Sequence, residues 1–337
     1  MLLILNNRFE VFRVRRFPSR PMLAALAGLG LLLTACAPTS GSSPATAGDG
    51  VVEVVASTSV YGDIVRSIGG DKVNVSSVIS RLSQDPHSYE ATTQDKLAVS
   101  KAELVVENGG GYDDFLHKLA EDAGLDHENV LNAVEVSGLA PESDADATHA
   151  AETSEADGHS HHHAGFNEHV WYSLPAMSRL ADAIAAKLGA LEPSSAETFR
   201  ANAAAFSQGL GGLEAKLAEI KASAGHAPVV ATEPVPLYLL EAAGLENKTP
   251  AGYAAAIEED ADVPPAVLNE TVQLVKSGEI RLLAYNTQTE GPQTVAVKDA
   301  AEAAGVPVLD FSETLPDGQT YLQWMTENVD SLTKTLA

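Results

Sequence analysis

The stretch VVEVVASTSVYGDIVRSIGG, residues 51–70, contains the pattern that decides the fold. An apolar run at 51–56 predicts a buried strand, and the polar Ser57-Thr58-Ser59 that follows it is typical of a helix start. Apolar residues at 60, 64, 65 and 68 recur with helical spacing, and Gly69-Gly70 supplies a stop. A strand, a cap and a helix with a glycine end form one βα unit, which predicts an α/β fold.

The same alternation of strand and helix repeats along the chain. β-like runs follow at Val73–Ile79 and Leu104–Glu107, and the second of them leads through Asn108-Gly109-Gly110-Gly111 into a helical pattern at 112–119. A second series has strands at 228–232, 280–286 and 307–311, with helices through 238–243 and 295–304. Alternating strands and helices with short connectors predict parallel sheets.

A long helix is predicted between the two series. Its apolar residues follow one helical face over about eight turns: Phe199, Phe206, Leu210, Leu213, Leu217 and Ile220. Three glycines, at 209, 211 and 212, weaken its middle. We therefore expect two (βα) lobes with parallel sheets, an N-terminal lobe at 51–194 and a C-terminal lobe at 224–337, joined by a single long rigid helix at 195–223.

The first 35 residues have the features of a lipoprotein signal peptide. Five arginines precede a 14-residue apolar run at 22–35, which is too short for a comfortable membrane span. Leu33-Thr34-Ala35-Cys36 resembles the bacterial lipobox, so we expect lipidation of Cys36, the only cysteine. The small, polar segment 36–50 is typical of a flexible tether. These features predict an extracytoplasmic protein that is lipid-anchored to the cell membrane.

The mature chain is strongly acidic. The formal net charge is −25, and removal of residues 1–35 takes away five arginines and one glutamate, which leaves −29. Nucleic-acid binding is not expected, because phosphate recognition needs clustered lysines and arginines. The acidity suits attraction of cations, but it is equally typical of an ordinary secreted protein.

Residues 141–166 interrupt the α/β pattern with an acidic, histidine-rich segment. It has only one large apolar residue, so it cannot bury a core, and we predict a disordered loop. Its histidines are His149, His159, His161, His162 and His163.

Four places put metal-binding side chains after predicted strands or beside the expected cleft. In open α/β sheets, ligands bind beyond the carboxyl ends of the strands. The four places are Asp85-Pro86-His87-Ser88-Tyr89, Asn167-Glu168-His169-Val170-Trp171, Thr232-Glu233-Pro234 and Ser312-Glu313-Thr314. Two imidazoles and two carboxylates from both lobes would form a closed four-ligand site, and such a mixed nitrogen and oxygen set suits Zn²⁺ or Mn²⁺.

Each of the four positions also has a simpler interpretation. A histidine in a loop after proline is more often a surface or capping residue, and Glu233 or Glu313 could cap a following helix. The metal-site prediction depends on all four converging. No catalytic machinery competes with it, because the sequence lacks Gly-x-Ser-x-Gly, a P-loop and His-Glu-x-x-His, and its cysteine lies at the lipidation motif. We therefore expect no enzymatic activity.

Several motifs resemble those of the metal-specific solute-binding lipoproteins of bacterial ABC importers, the zinc/manganese-binding family. QDPHSYEATTQD at 84–95 resembles that family's Asp-Pro-His-x-Tyr-x-x-Thr-x-x-Asp motif, and NEHVWYSLP at 167–175 its Asp-Pro-His-Val-Trp motif, with Asn-Glu replacing Asp-Pro. ENGGGYDDFL, TEPVPLYLLEAAGL, NTQTEGPQT and FSETL…YLQWM are similar to further segments of the family. The resemblance covers essentially all of 51–337.

The resemblance implies a metal held between two lobes and delivered to a membrane permease powered by a cytoplasmic ATPase. It implies His87, His169, Glu233 and Glu313 as the ligands, with Glu313 where many members carry Asp. We expect a monomer with small lobe movements. Metal must displace protons from the histidines, so binding should weaken as pH falls through about 6.5.

The identity of the metal is open between two indications. The paired carboxylates favour manganese or iron. The histidine-rich loop resembles that of zinc-specific members, and we predict zinc slightly ahead of manganese, with the loop collecting metal and passing it inward. The loop could instead be only a solvated segment. A surface metal buffer or adhesin is the alternative function, and a metal-dependent hydrolase comes third.

Overall fold

The computed structural model describes residues 50–84, 86, 88–140, 166–259 and 261–337. Its strands are β1 Val52–Thr58, β2 Val73–Ile79, β3 Leu104–Glu107, β4 Val130–Asn132, β5 Pro228–Ala231, β6 Glu246–Asn247, β7 Leu282–Asn286 and β8 Val308–Phe311. Its helices are α1 Ser59–Gly69, α2 Thr93–Val99, α3 Asp114–Ala123, α4 Ala133–Ser137, α5 Leu174–Leu191, α6 Ala196–Ala224, α7 Leu237–Ala242, α8 Tyr253–Glu258, α9 Pro265–Lys276, α10 Pro292–Ala304 and α11 Tyr321–Leu336.

The strands form two parallel four-stranded sheets, which confirms the predicted α/β class. The N-terminal sheet has the order β2-β1-β3-β4 and the C-terminal sheet the order β6-β5-β7-β8. In the central strand pairs, Val54 of β1 lies opposite Leu104 of β3, and Val229 of β5 lies opposite Leu282 of β7. In each sheet the chain runs outward from a central strand in both directions, so a crevice opens at the carboxyl ends where the strand order reverses.

The long helix α6 is 29 residues long and begins and ends one residue later than predicted. At 1.5 Å per residue it is about 43 Å long, and its buried face carries the six apolar residues that predicted it. A Cβ on Gly209 would lie 3.0 Å from a methyl group of Leu322, so this glycine allows α11 to pack closely on α6. Gly211 and Gly212 have no such neighbour.

The other predicted elements are confirmed with shifted ends. α3 begins at Asp114 instead of residue 112 and ends at Ala123 instead of residue 119, and α10 begins at Pro292 instead of residue 295. Gly109, Gly110 and Gly111 all adopt positive φ, which glycine does readily, and they form an open turn. The Asp113 carboxylate closes this turn by accepting hydrogen bonds from the backbone N–H groups of residues 108 and 109.

One apolar cluster extends through both halves of the molecule. It includes the inner faces of both sheets and the buried sides of α5, α6 and α11. Separate, smaller clusters cover the outer face of each sheet. Phe166, the last residue of the predicted loop 141–166, packs against the large cluster and is therefore ordered, contrary to the prediction. A continuous core under the crevice resists large rigid-body movement, since packed interiors deform little.

Several sequence predictions fall on residues outside the described part of the chain. They are the signal peptide 1–35, Cys36 and the tether as far as residue 49, His87, and the loop as far as residue 165 with its five histidines. Within residues 50–337, where the structure describes them, no helix combines the length and apolarity that a bilayer span requires.

Candidate metal centre

The predicted ligands that the structure describes lie in the crevice between the two sheets. Glu233 follows β5 and Glu313 follows β8, both just beyond the carboxyl ends of their strands, and His169 precedes α5. All three side chains are buried. Capping and surface roles for them are wrong: α7 is capped at Pro236, α11 at Thr320, and His169 makes no capping hydrogen bond. His87 lies outside the described residues.

Glu233 and Glu313 meet at one side-chain amide. Asn286, the last residue of β7, donates from Nδ2 to Glu233 Oε2 and also to Glu313 Oε1, the latter at 2.8 Å. The backbone N–H of Gln288 donates to Asn286 Oδ1 at 3.1 Å, which fixes the orientation of the amide. The two acidic side chains therefore approach each other across a donor that compensates for their burial.

Tyr112 connects Glu313 to the N-terminal half. Its hydroxyl donates to Glu313 Oε2 at 2.9 Å, although the two residues are 201 positions apart. Its ring lies edge-on to the His169 ring, with centroids 5.8 Å apart. Burial, and then the negative charge of Glu313, raise the pKa of Tyr112 well above its usual value, so this hydroxyl stays a hydrogen-bond donor.

Asn167 orients His169. Its Nδ2 donates to the Pro234 carbonyl oxygen at 3.0 Å, so its Oδ1 is the acceptor. That oxygen accepts from the His169 backbone N–H at 3.1 Å and lies 2.8 Å from His169 Nδ1. An amide oxygen only accepts, so Nδ1 carries a proton and Nε2 is the ring nitrogen that could coordinate a metal ion. Ligating histidines in proteins are commonly held in this way through their other ring nitrogen.

The segment 167–172 crosses between the halves and holds His169 near the acidic residues. Tyr238 donates to the Asn167 carbonyl oxygen at 2.7 Å, and Tyr172 donates to the Ser312 carbonyl oxygen at 2.8 Å. Tyr321 donates to the Trp171 carbonyl oxygen at 2.6 Å. These contacts place His169 beside the residues that flank Glu233 and Glu313.

His169 lies closest to two acidic residues that the sequence did not predict as ligands. Glu168, His169 and Glu258 offer ligand atoms within 4.8 Å of one another, and Glu258 Oε1 is 3.5 Å from His169 Nε2. Among the described residues, Glu233 and Glu313 do not belong to this group. Glu258 is the last residue of α8, so a helix of the C-terminal half brings it to the crevice.

Sequence reasoning missed four residues of this centre, Asn167, Asn286, Glu168 and Glu258. Asn286 ends a predicted strand, so its position already indicated the crevice. Asn167 and Glu168 are the two departures from the family motif, and these departures were a second sequence signal that the two positions differ from other members. Glu258 ends an unpredicted helix and begins an acidic run, and nothing in its local sequence indicates the crevice.

A second set of contacts joins Gln84 to the loop that carries Glu313. The Gln288 Nε2 donates to the Gln84 carbonyl oxygen at 3.3 Å, while its Oε1 accepts from the backbone N–H groups of Glu313 and Thr314 at 2.6 and 2.8 Å. One side chain therefore joins the start of the 84–95 motif to the loop that carries Glu313. The buried donors can hold a divalent cation, since they combine imidazole nitrogen and carboxylate oxygen.

Comparisons with known proteins agree with this architecture. The family model of ZnuA, zinc-uptake complex component A, periplasmic, matches residues 54–335. The manganese ABC transporter substrate-binding lipoprotein scaA of Streptococcus gordonii is 25% identical over 94% of this chain and 97% of its own length. The zinc-binding lipoprotein AdcA of Streptococcus pneumoniae is 26% identical over 85% of this chain and 56% of its own length.

The fold is also that of solved structures. The periplasmic zinc-binding protein TroA from Treponema pallidum superposes with a TM-score of 0.65 at 22% identity, over 84% of this chain and 98% of TroA. At this identity the likeness concerns the fold alone. The family match, in contrast, spans both sheets and the long helix between them, and the chain therefore belongs to the ZnuA family.

Proposed function

We propose that this protein captures a divalent transition metal outside the cytoplasm and delivers it to an ABC permease driven by a cytoplasmic ATPase. The observation that carries the proposal is His169, buried in the crevice with Nδ1 held by Asn167 and Nε2 directed at a carboxylate. The names of the relatives, which include both manganese and zinc lipoproteins of ABC transporters, support it. The chain performs no catalysis in this role.

The proposed ligands are the four that the sequence predicts, His87, His169, Glu233 and Glu313. Burial of the last three and the hydrogen bonds of Asn286 and Tyr112 support ligation, because a cation offsets the unfavourable burial of two carboxylates. Zinc remains the ion that the histidine-rich loop favours, and manganese the ion that the carboxylates favour.

Cys36 is proposed as the lipidated residue that anchors a monomer to the cell membrane. The relatives are named lipoproteins, which supports the anchor. We further propose that His149, His159, His161, His162 and His163 collect metal for the crevice. Deletion of 149–163 should then reduce uptake at scarce zinc, and unchanged uptake would argue for a merely solvated loop.

Metal titration tests the central proposal. Protein purified without chelators or an affinity tag is analysed for bound elements and then titrated competitively with zinc and manganese. We expect one tightly bound ion per chain. The His169→Ala variant should lose affinity by more than the roughly 10- to 100-fold that follows loss of an outer-shell partner.

The exposed His127 provides the matched control, since His127→Ala removes an imidazole far along the chain from the predicted ligands. The metal affinity of His127→Ala should equal that of the wild type. Equal affinities in all three proteins would contradict the proposal. Weak binding of several ions that disappears with the loop would support a surface metal buffer instead.

A further inference from the structure

Glu168 and Glu258 surround His169 with oxygen atoms that the four predicted ligands do not include. Glu168 precedes His169 in the bridging segment, whereas Glu258 comes from α8, about 90 residues further along the chain. Glu258 is only 12% exposed although it ends a short helix. Two acidic side chains from separate elements therefore converge on one imidazole.

The atoms near His169 Nε2 are of the kinds that bind a metal ion. The Asn167 oxygen fixes a proton on Nδ1, so Nε2 is the ring nitrogen on the side of Glu258. Glu258 Oε1 lies 3.5 Å from that nitrogen. Imidazole nitrogen and carboxylate oxygen both donate readily to a divalent metal ion.

Glu168 gives an independent indication. Its side chain is 5% exposed, and within the described part of the chain its Oε1 accepts no hydrogen bond. A buried carboxylate oxygen that accepts no hydrogen bond is unfavourable. A carboxylate oxygen of this residue lies within 4.8 Å of the ligand atoms of His169 and Glu258, so a cation bound there would supply the missing charge.

The same helix that carries Glu258 also borders Glu233. Burial, and then the Glu233 charge, raise the pKa of Tyr253, the first residue of α8. Asn167 joins the bridging segment to Pro234, directly after Glu233. Tyr253 and Asn167 thus connect the elements that carry Glu258 and Glu168 to the neighbourhood of Glu233.

We infer that Glu168 and Glu258 donate oxygen atoms to the captured ion at His169, which makes the site oxygen-rich and of higher coordination number than a closed four-ligand zinc site. This inference rests on the proposed function. Zinc is satisfied by four ligands in closed sites. Oxygen donors suit manganese, so the two carboxylates support manganese binding more than zinc binding.

The test compares four proteins freed of metal with a chelator: wild type, Glu168→Gln, Glu258→Gln and Glu259→Gln. Glu259 is the exposed neighbour of Glu258, so its variant removes the same charge outside the crevice. Manganese and zinc affinities are measured by competitive titration. Glu258→Gln and Glu168→Gln should each lower manganese affinity by at least about 10-fold, lower zinc affinity less, and leave urea unfolding cooperative. Glu259→Gln should match the wild type.

The outcomes separate the inference from the proposed function. Tight binding by the wild type with unchanged manganese affinity in Glu258→Gln overturns the inference and leaves Glu258 as an ion-pair partner of His169. No tight ion in the wild type overturns the proposed function as well. Should Glu258→Gln not fold, Glu258→Asp keeps the charge and retracts it by one methylene. Lower manganese affinity in that variant supports ligation, and unchanged affinity overturns it.

Cobalt absorption gives a second measurement on the wild type alone. A six-coordinate oxygen-rich site gives cobalt a weak visible spectrum, whereas a four-coordinate site gives an intense one. The inference expects the weak spectrum. An intense four-coordinate spectrum in the wild type would overturn it.

Discussion

Asn286→Ala tests how the two buried acidic side chains of the crevice are tolerated. The Asn286 amide donates to Glu233 and to Glu313, and both carboxylates lie close to that single group. The substitution removes both hydrogen bonds and the one that Asn286 Oδ1 accepts from the Gln288 backbone N–H, and it leaves the backbone of β7 in place. The substitution should therefore lower the free energy of unfolding of the metal-free protein, because two buried carboxylates lose a hydrogen-bond donor.

The magnitude follows mainly from the two lost hydrogen bonds to charged groups, because the third has a neutral donor and a neutral acceptor. A hydrogen bond to a charged group contributes about 1.5–3 kcal/mol to stability. Tyr112 still donates to Glu313, so the losses are not fully additive. We expect the metal-free protein to lose about 3 kcal/mol in its free energy of unfolding.

Urea unfolding with and without metal provides the assay. Bound metal should reduce the loss, because the cation takes over the compensation of the two carboxylates. Asn202→Ala is the matched control, since in the described part of the chain the Asn202 amide donates to the neutral Ile68 carbonyl oxygen. It should cost at most about 1 kcal/mol and should be insensitive to metal.

Two results would refute this reasoning. A loss in Asn286→Ala no larger than that of Asn202→Ala would mean that the amide does not support charged groups. An equal loss with and without metal would mean that Glu233 and Glu313 do not contact the ion. The second result would also remove these two residues from the proposed ligand set.

Two further predictions concern residues outside the ligand set. The hydrogen bond to Glu107 raises the pKa of His117 to about 9, so its stabilising charge is fully present below about pH 6.5 and is lost as pH rises towards 9. The stability of the wild type relative to His117→Gln, measured by urea unfolding, should therefore fall across that window, and a flat difference would refute it. Gln288→Ala removes the contact with Gln84 and two backbone hydrogen bonds near Glu313, and should weaken metal affinity by roughly 10-fold or more. Unchanged affinity in a titration would show that this side chain does not support the site.

The shared core gives a physical account of metal capture without wide closure. The large apolar cluster extends under both sheets and includes α6, so separation of the halves would expose buried surface. Polar contacts across the crevice, such as those of Tyr112 and Tyr172, can exchange at lower cost. We expect metal exchange to involve loops and side chains above a core that stays packed.

The sequence by itself determined the architecture of this protein. Its apolar residues alternate between strand and helix periods, and the period is a local property that a single segment carries. For this reason β2 and β3 were predicted with their observed ends, and α6 within one residue. Residues directly after strands were also predictable as lining a crevice, and Glu233 and Glu313 were identified in this way.

Only the tertiary structure decided which atoms face one another in the crevice. Tyr112 and Glu313 are 201 residues apart, Asn167 and Pro234 are 67 apart, and Glu258 reaches His169 from the end of α8. These contacts depend on how the two sheets are oriented by the core beneath them, and no local period encodes that orientation. The sequence therefore predicted a metal-binding crevice, whereas its lining by Asn167, Glu168, Asn286 and Glu258 emerged from long-range packing.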